Sequence, residues 1–569
     1  MADHVQGRTA ADDLVAALAA EGVSHLFINP GTDTAPVQEA LAAARAAGAP
    51  HPRAVLCTHE FIALSAAMGH YFASGEPQAV MVHVDAGTLN LGGAVHNAQR
   101  NRVPVVVFAG RSPYSLDPDV PGHRDNAIHW QQEQPDQQAL LRAWGKWTIE
   151  VPRGRELDPL VRRAYQVARS APGGPAYVML PRETLMEAGA ARRSPALRPP
   201  RPPAPDPDGL AEAARVLAAA RRPVIVTARA GADPETVPSL VRLAETIGAP
   251  VIDHRHRMNF PAAHPLYAGA ATTELTSADA VLLLDVEVPW VPALDAPPED
   301  AAVVQIDVDC VKPTMPSWRY PVDVALTADT ALALPLLADE VRSLATADVE
   351  DRWASRRAEV TARLAEVRSG WEKQAASAAP DAAPDAMLAA LNAALPEEAV
   401  VLEEAVTNKP AVARQIDRAP GRHFDTGSPA LGWAVAGALG VRLARPDSPV
   451  VAVCGDGAFG FGVPTAAMWS AHRAGAPFVT VVLNNQAYKA SRRPVEALFP
   501  DGASTAHADF PETDLSPGPD YARLAEAYGG VGVTVERPEE MAAALEECLA
   551  AVGRGRCAVI DARLPSPGE

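Results

Sequence analysis

The sequence predicts an α/β fold in which three consecutive domains each hold a parallel β-sheet flanked by helices. The first observation behind this prediction is that short runs rich in valine, isoleucine and leucine alternate with longer amphipathic segments along the chain. Parallel strands have helices on both faces, so they are apolar throughout and do not alternate with polar residues. The second observation is the length of 569 residues, which suits roughly three or four domains of ordinary size.

Two proline-containing segments predict the boundaries between these domains. Residues 194–209 hold prolines too densely for a helix or a central strand. Residues 374–387 are small and proline-punctuated, and they follow a charged run with the pattern of a helix. We therefore expect domains at residues 1–190, 205–345 and 380–569, each of a plausible size for one folding unit.

Each predicted domain has its own set of strand-like runs. In the first they are HLFIN, RAVLC, AVMVHV and VPVVVFAG, and the amphipathic segments AADDLVAALAAEG and HEFIALSAAMGHYFASG lie among them. In the second they are PVIVTA, APVID, AVLLLDV and AVVQIDV, and in the third AVVLEEA, VVAVCGD, FVTVVLNN and CAVIDARL. Buried runs separated by helices are typical of β-α-β units, which predicts parallel pairing in every sheet.

Composition and charge exclude several classes of protein. With 69 acidic and 50 basic residues the formal net charge is −19, the wrong sign for a general nucleic-acid binder. No run of about 18 apolar residues is present, so we expect no membrane helix, and the N-terminal segment lacks the pattern of a secretory signal. Five cysteines without a CxxC pair indicate neither a disulfide framework nor a structural zinc site. We expect a cytoplasmic protein without nucleic-acid or membrane partners.

Residues 450–488 carry the most informative motif. A strand-like run leads into the turn GDG at residues 455–457, a helix-like stretch follows, and a second strand-like run ends at Asn484 and Asn485. Because parallel sheets bind ligands at the carboxyl ends of their strands, we expect Asp456 to lie close to the two asparagines. Carboxylate and amide oxygens suit Mg²⁺, which commonly bridges to phosphates, and the glycines allow the backbone to approach phosphate oxygens. The alternative is a pair of ordinary turns at strand ends.

This motif resembles the thiamine-diphosphate motif, GDG followed after a helix by NN, of the superfamily that includes acetolactate synthase, benzoylformate decarboxylase and pyruvate decarboxylase. The resemblance implies thiamine diphosphate and Mg²⁺ as cofactors, with Asp456, Asn485 and the backbone carbonyl of Ala487 holding the metal that anchors the diphosphate. It also implies the roles of the three domains, which are pyrimidine-binding, central and diphosphate-binding in chain order. Further cofactor contacts are implied for Gly455, Gly457 and Ala458.

Two other segments of the third domain fit the same family. DTGSPALGWAVAGALGVRLA resembles its glycine-rich stretch, in which an aliphatic residue, here Leu431, lies between the two cofactor rings and a carbonyl, here that of Pro429, faces the aminopyrimidine amine. VVLEEAVTNKPAVARQ resembles its diphosphate-contacting turn, with Thr407 and Asn408 as hydrogen-bond donors. The alternatives are a core leucine at Leu431 and helix capping by Thr407 or Asn408.

The predicted catalytic residue is Glu60, in the first domain. THEFIALSAAMGHYFASG resembles the family segment whose glutamate hydrogen-bonds N1′ of the aminopyrimidine, and Glu60 matches that glutamate. A carboxyl group that shares a proton with N1′ favours the imino tautomer, which activates C2 of the cofactor. Without the resemblance, Glu60 is an acidic residue favoured in the first turn of a helix. FINPGTD is similar to the family loop near the pyrimidine, which implies contacts from Pro30 and Gly31. GPAYVMLPRE is similar to the strand that closes the family's first domain.

Three residues are candidates for substrate contact. His59 and His83 belong to the first domain, and helix-cap or surface roles are the alternatives for both. Lys489 follows the asparagine pair and could bind a carboxylate or phosphate, whereas Arg492 and Arg493 fit a solvated helix face. The central domain has no GxGxxG turn, so we do not expect FAD.

The resemblance implies a reaction that begins by decarboxylating a 2-oxo acid. Our leading prediction is an acetolactate-synthase-like carboligase, which joins the resulting acyl unit to a carbonyl acceptor. A simple decarboxylase of the benzoylformate or pyruvate type is the alternative, and a non-catalytic binding protein on the same fold is the alternative from another class. In this family the glutamate-bearing domain of one chain faces the diphosphate-binding domain of another. We therefore expect a homodimer or homotetramer with the active site at the chain interface.

Overall fold

The computed structural model of the protein describes residues 8–190, 193–270, 272–427 and 429–566. Three β-sheets follow one another along these residues, and every strand pair described within them is parallel. Helices flank all three sheets. The predicted α/β fold with three parallel sheets is therefore confirmed, whereas the exact domain limits stay a prediction.

The first sheet has six strands: β1 (His25–Ile28), β2 (Arg53–Leu56), β3 (Ala79–Val82), β4 (Val106–Arg111), β5 (Trp147–Glu150) and β6 (Ala176–Pro181). They lie in the order β2-β1-β3-β4-β6-β5. The helices of this part are α1 (Ala10–Ala20), α2 (Ala35–Ala46), α3 (Glu60–Ser74), α4 (Val84–Asn90), α5 (Gly92–Arg100), α6 (Ile128–Gln131), α7 (Ala139–Arg142), α8 (Leu157–Arg169) and α9 (Arg182–Met186).

The central sheet has five strands: β7 (Pro223–Thr227), β8 (Val251–Asp253), β9 (Ala280–Leu284), β10 (Ala302–Asp307) and β11 (Val324–Thr327). Their order is β11-β10-β9-β7-β8. The helices of this part are α10 (Pro207–Ala219), α11 (Thr236–Ile247), α12 (Thr330–Ser343) and α13 (Ala347–Ala375).

The third sheet has six strands: β12 (Val400–Glu404), β13 (His423–Asp425), β14 (Val450–Gly455), β15 (Val479–Asn484), β16 (Val531–Val535) and β17 (Ala558–Arg563). Their order, β13-β12-β14-β15-β17-β16, repeats the layout of the first sheet. The helices are α14 (Ala383–Ala394), α15 (Lys409–Gln415), α16 (Trp433–Ala444), α17 (Asp456–Phe461), α18 (Pro464–Ala474), α19 (Lys489–Leu498), α20 (Ala503–His507), α21 (Tyr521–Ala527) and α22 (Met541–Gly553). No helix within the described ranges is both long and apolar enough to cross a membrane.

The two predicted linkers differ in outcome. Residues 193–206 form neither helix nor strand, and α10 then begins at Pro207, where Asp206 caps it. The second linker is shorter than predicted, because α13 continues to Ala375 and α14 begins at Ala383, which leaves residues 376–382 between the two helices. Proline in the first turn of α14 is tolerated there because its missing N–H would have no partner within the helix.

The GDG motif joins two adjacent strands. β14 and β15 pair in parallel with Gly455 opposite Leu483, so their carboxyl ends lie side by side as predicted. The predicted turn is wrong in detail, because β14 includes Gly455 and α17 begins directly at Asp456. The carboxylate therefore lies at the N-terminus of a short helix.

The first and third domains of the chain are packed tightly together through α3 and α16. Both helices are buried along most of their length. A Cβ on Gly440 of α16 would lie 1.7 Å from the carbonyl oxygen of Ala66 on α3. Only glycine permits this approach of two helix backbones, so the close packing of the two domains depends on it.

Candidate active site

A cavity opens at the carboxyl ends of β12, β14 and β15 in the third domain. Ten residues predicted for the cofactor, the metal or the substrate line it: Thr407, Asn408, Leu431, Gly455, Asp456, Gly457, Ala458, Asn485, Ala487 and Lys489. The structure thus brings four separate segments of the sequence together at the carboxyl ends of these strands. Parallel sheets generally bind their ligands at the carboxyl ends of their strands.

Asp456 is 4% exposed at the start of α17. Its Oδ1 accepts a hydrogen bond of 2.8 Å from the N–H of Gly457, while Oδ2 is buried and has no hydrogen-bond partner among the described residues. Burial raises the pKa of this carboxyl, and the N–H groups of Gly457 and of residues 485–487 oppose the shift. Because a buried carboxylate oxygen without a partner is costly, this atom fits a bound cation.

The other predicted metal ligands follow β15. Asn485 is buried, and its Oδ1 accepts a hydrogen bond of 3.1 Å from the N–H of Ala487. Across the cavity, no described atom lies within 4 Å of a Cβ built on Gly455, which leaves room for a ligand beside the backbone. A carboxylate, an amide oxygen and a carbonyl beside an open stretch of backbone fit Mg²⁺ and a diphosphate.

Leu431 is half-buried, packs against the core and also lines the cavity, so the core interpretation and the cofactor interpretation both apply. Glu404, at the end of β12, holds the backbone that follows Leu431. Its two oxygens accept hydrogen bonds of 2.9 Å from Gly432 and 3.0 Å from Ala434, and burial raises the pKa of Glu404 to about 8. Pro429 is exposed and is not among the described residues that line the cavity.

Thr407 and Asn408 lie in a 3-10 turn, Val406–Asn408, that connects β12 to α15. Val406 has a φ of 44°, a conformation that β-branched residues rarely adopt. Such strained residues are frequent in ligand-binding loops. Asn408 occupies the N-cap position of α15 without a side-chain capping bond to any described residue, so the capping alternative is not observed for it.

Glu60 is the first residue of α3 and is 5% exposed. Two asparagines hold its carboxylate: Nδ2 of Asn29 donates to Oε1 at 2.8 Å, and Nδ2 of Asn90 donates to Oε2 at 2.9 Å. Asn29 follows β1 and Asn90 ends α4, so the two donors come from separate elements. The carboxylate is therefore held in one orientation, which a role as a first-turn acid alone does not require.

His83 follows β3, which pairs in parallel with β1, so His83 lies at the carboxyl ends of the strands of the first sheet, as Asn29 does. Its Nδ1 pairs with the buried carboxylate of Asp33, and the side-chain amide of Gln132 lies 2.9 Å from Nε2. The hydrogen bond with Asp33 raises the pKa of His83. Gly31 lies against the ring, since a Cβ there would be 2.0 Å from Nδ1.

The remaining predicted residues differ in position. His59 caps α3, with Nδ1 accepting a hydrogen bond of 3.1 Å from the N–H of Phe61, as the helix-cap alternative states. Pro30 is exposed. Lys489 is the first residue of α19, a helix whose described residues include no buried one, and Arg492 forms an ion pair within that helix.

Within this chain the two halves of the predicted site are separate. The following first-domain candidates are absent from the described lining of the third-domain cavity: Pro30, Gly31, His59, Glu60 and His83. Sequence reasoning missed Asn29, Asp33 and Asn90. The position of Asn29 at the end of the predicted strand HLFIN is the one signal that pointed to any of them.

Three family models of thiamine pyrophosphate enzymes match the chain. They are the N-terminal TPP binding domain at residues 8–140, the central domain at residues 210–337 and the C-terminal TPP binding domain at residues 406–562. Their order is that of the three sheets, and the third match contains all ten predicted residues that line the cavity described above. The chain belongs to the thiamine pyrophosphate enzymes.

Relatives of this thiamine pyrophosphate enzyme have several activities. A sulfoacetaldehyde acetyltransferase of Rhodobacter capsulatus is 29% identical over 538 residues, which cover 89% of this chain and 87% of the relative. A benzoylformate decarboxylase of Pseudomonas aeruginosa is 26% identical, with 93% and 94% covered. The solved structure of a 4-hydroxybenzoylformate decarboxylase from Rhodococcus jostii RHA1 is similar in fold, with a TM-score of 0.79 at 24% identity over 99% of this chain and 100% of that one.

These matches confirm a thiamine-diphosphate-dependent enzyme of the superfamily that acts on 2-oxo acids. The alternative of a non-catalytic binding protein on the same fold does not hold for this thiamine pyrophosphate enzyme. The relatives divide between decarboxylases and enzymes that transfer an acyl unit, so both catalytic predictions are carried forward.

Proposed function

We propose that this thiamine pyrophosphate enzyme is a Mg²⁺-dependent decarboxylase of a 2-oxo acid in which His83 supplies the proton that replaces CO₂. The observation that carries the proposal is the pairing of His83 with the buried carboxylate of Asp33. This pair lies at the carboxyl ends of the strands of the first sheet, where Glu60 also lies. An imidazole with a raised pKa remains partly protonated near neutral pH, as a general acid must be.

The third-domain cavity is the proposed cofactor site. Asp456, Asn485 and the carbonyl of Ala487 would hold Mg²⁺, and the unpartnered Oδ2 of Asp456 supports this assignment. Thr407 and Asn408 would donate hydrogen bonds to the diphosphate. Lys489 at the same cavity would attract the substrate carboxylate.

When bound, thiamine diphosphate supplies a nucleophilic ring carbon that adds to the carbonyl carbon of the 2-oxo acid and takes up the electron pair released with CO₂. Glu60 would hold a proton shared with N1′ of the pyrimidine. Asn29 and Asn90 keep both oxygens of that carboxylate in fixed directions. Leu431, on the cavity wall, would separate the two rings of the cofactor.

His83 would release its proton from Nε2, because Asp33 occupies Nδ1. The amide of Gln132 donates to Nε2 when the ring is neutral, and after a 180° rotation it accepts from Nε2 when the ring is charged. The ring therefore has a hydrogen-bond partner in both protonation states.

The test of the proposal is CO₂ release from a panel of 2-oxo acids in the presence of thiamine diphosphate and Mg²⁺, with the products identified by NMR. We expect one aldehyde for each CO₂ with the preferred acid. A chain that binds the cofactor and releases no CO₂ from any branched, aromatic or charged 2-oxo acid contradicts the proposal.

Carboligation is the second candidate, favoured by 29% identity to a sulfoacetaldehyde acetyltransferase and to an acetolactate synthase large subunit of Mycobacterium tuberculosis. In that case the acyl unit forms a bond with a carbonyl acceptor instead of being protonated. Repeating the panel with an excess of a second aldehyde distinguishes the two reactions. A coupled hydroxyketone formed in place of the free aldehyde supports carboligation.

The pH dependence of kcat/KM tests the role of His83. Activity that needs protonated His83 is present below its raised pKa and is lost as the pH rises through that pKa. Asp33→Asn removes the main cause of the raised value, so we expect the alkaline limb of the profile to move to lower pH. Asp85→Asn is the matched control, since Asp85 contributes least to the shift and should move the limb less. An identical limb in the parent and Asp33→Asn contradicts the assignment.

The assembly is expected to contain two or four chains, because the first-domain residues do not line the third-domain cavity of their own chain. Leu89, next to Asn90, is 61% exposed, and Phe461, at the end of α17, is 57% exposed. Apolar side chains beside each half of the site suit an interface that joins the halves of two chains. Light scattering gives the mass, and an active monomer of 59.7 kDa would refute the expectation.

Two further predictions accompany this proposal. The five cysteines all lie in described ranges and are buried and free, which suits a reducing compartment such as the cytoplasm. The absence of FAD stays a prediction, and the absorbance spectrum of the purified protein tests it.

A further inference from the structure

We propose that Asn97 is a positioning residue for the cofactor loop, by which we mean residues 429–432, and that it sets where Pro429 and Leu431 stand against the cofactor. The inference rests on the cofactor site proposed above. Asn97 belongs to α5 of the first domain and is 0% exposed. The loop belongs to the third domain, between β13 and α16.

Asn97 makes a two-sided contact with Ala430. Its Nδ2 donates to the carbonyl oxygen of Ala430 at 2.9 Å, and the N–H of Ala430 donates to its Oδ1 at 3.0 Å. The side-chain amide thus satisfies both backbone groups of a loop residue, as a neighbouring strand would. One turn earlier on α5, a Cβ on Gly93 would lie 3.2 Å from Cβ of Ala430, so the loop rests directly on this helix.

The contact controls the direction of one carbonyl group. The N–H of Ala430 and the C=O of Pro429 belong to the same peptide unit, which is planar and trans, so the two bonds point in opposite directions. With the N–H directed at Asn97, the carbonyl of Pro429 must point away from α5. This is the carbonyl assigned to the aminopyrimidine amine, so Asn97 orients it without touching the cofactor.

A second anchor holds the other end of the loop. Glu404 accepts hydrogen bonds from the N–H groups of Gly432 and Ala434. Leu431 therefore lies between one residue held from the first domain and one held from β12. Upstream of the loop, Asn101 of the first domain donates to the carbonyl of Thr426 at 3.0 Å. Loss of the Asn97 contact therefore releases Ala430 itself, and with it Leu431 and the carbonyl of Pro429, while the chain on either side stays anchored.

Asn259 provides a matched control. It is also 0% exposed, and its side chain likewise accepts from one backbone N–H, that of Gly231 at 2.8 Å, and donates to one carbonyl, that of Ala228 at 2.8 Å. Its Nδ2 also donates to Oδ1 of Asp253 at 2.6 Å and to the carbonyl of Arg257 at 2.9 Å, so its loss should destabilise the chain at least as much as the loss of Asn97. These residues lie in the central domain and are not part of the described lining of the cofactor cavity. Asn259→Ala thus removes a buried amide with at least as many hydrogen bonds while leaving the contact between Asn97 and Ala430 in place.

The experiment compares the full-length parent, Asn97→Ala, Asn97→Leu and Asn259→Ala. Amide hydrogen–deuterium exchange by mass spectrometry is first measured on the chain without added cofactor. We expect faster exchange in the peptide that contains residues 430–434 for both Asn97 variants and parental exchange for Asn259→Ala. Asn97→Leu keeps the approximate size and loses both hydrogen bonds without adding a charge, so it decides the matter where Asn97→Ala does not fold.

Proton–deuterium exchange at C2 is then measured on chains saturated with thiamine diphosphate and Mg²⁺. We expect the Asn97 variants to lose up to about 10²-fold in rate, the scale of a misplacement of about 1 Å, with a smaller loss in cofactor affinity. Parental loop exchange, or a freed loop with parental C2 exchange, overturns the proposal. A parent that binds no thiamine diphosphate overturns the cofactor site itself, and loop exchange then still decides whether Asn97 anchors the loop.

Discussion

Replacing Asp456 with alanine is expected to abolish tight binding of thiamine diphosphate with Mg²⁺ while the chain stays folded. Loss of residues that only support a metal ligand typically costs about 10–100-fold in affinity, so loss of a direct anionic ligand should cost at least ~100-fold. The fold should survive because Oδ2 has no partner to lose among the described residues and Oδ1 bonds only the adjacent N–H of Gly457. Removing a buried charge can even raise the melting temperature of the cofactor-free chain.

Isothermal titration calorimetry with thiamine diphosphate, at saturating and at zero Mg²⁺, measures this effect. Asp456→Asn keeps the shape and an oxygen but loses the charge, so its loss of affinity should be intermediate. Asp520→Ala is the control. Asp520 caps α21 in the same domain and does not line the cavity, so its loss should lower helix stability without removing a cavity residue. Parental affinity in Asp456→Ala would show that the cavity binds its ligand without this carboxylate.

The strands that could not be predicted from the sequence share one position in their sheets. Runs such as VVAVCGD and AVLLLDV form β14 and β9, which lie inside their sheets and are buried almost throughout. The missed strands β5, β11, β13 and β16 all lie at sheet edges. Every residue of β5 is half-buried, and β11 alternates buried with exposed residues. An edge strand needs no continuous apolar run, so the pattern that predicts a central strand is absent there.

The same distinction applies to the site. Asp456 and Asn485 lie in one strand-helix-strand unit, so parallel pairing alone predicts that they meet. The other contacts join distant parts of the chain: Asn97 and Ala430 are 333 residues apart, and Asp33 and His83 are 50 apart. No local pattern distinguishes an asparagine that holds a loop in another domain from one that ends a helix. These residues become visible only when the packing of the domains is known.

Replacing Glu60 with glutamine is expected to lower the rate of C2 proton exchange by about 10²–10⁴-fold, the usual loss when general acid–base assistance is removed. Glutamine keeps the size and one acceptor for Asn29 or Asn90, but it cannot share a proton with the pyrimidine N1′. Cofactor affinity should fall far less, because one neutral hydrogen bond contributes only on the order of 1 kcal/mol. A large loss of exchange beside a small loss of affinity is therefore the signature of an activating residue.

Glu183→Gln provides the comparison that separates chemistry from packing. Glu183 is also a buried glutamate in the first turn of a helix, and its Oε1 accepts a hydrogen bond of 2.8 Å from the N–H of Ser115. Loss of its charge should cost stability, as in Glu60→Gln, while C2 exchange stays at the parental rate. C2 exchange is followed by quenched NMR on cofactor-saturated chains, with melting temperatures measured on the same samples. If Glu60→Gln exchanges as fast as the parent, Glu60 is a helix-start acid held by two asparagines, and the activating group lies elsewhere in the assembly.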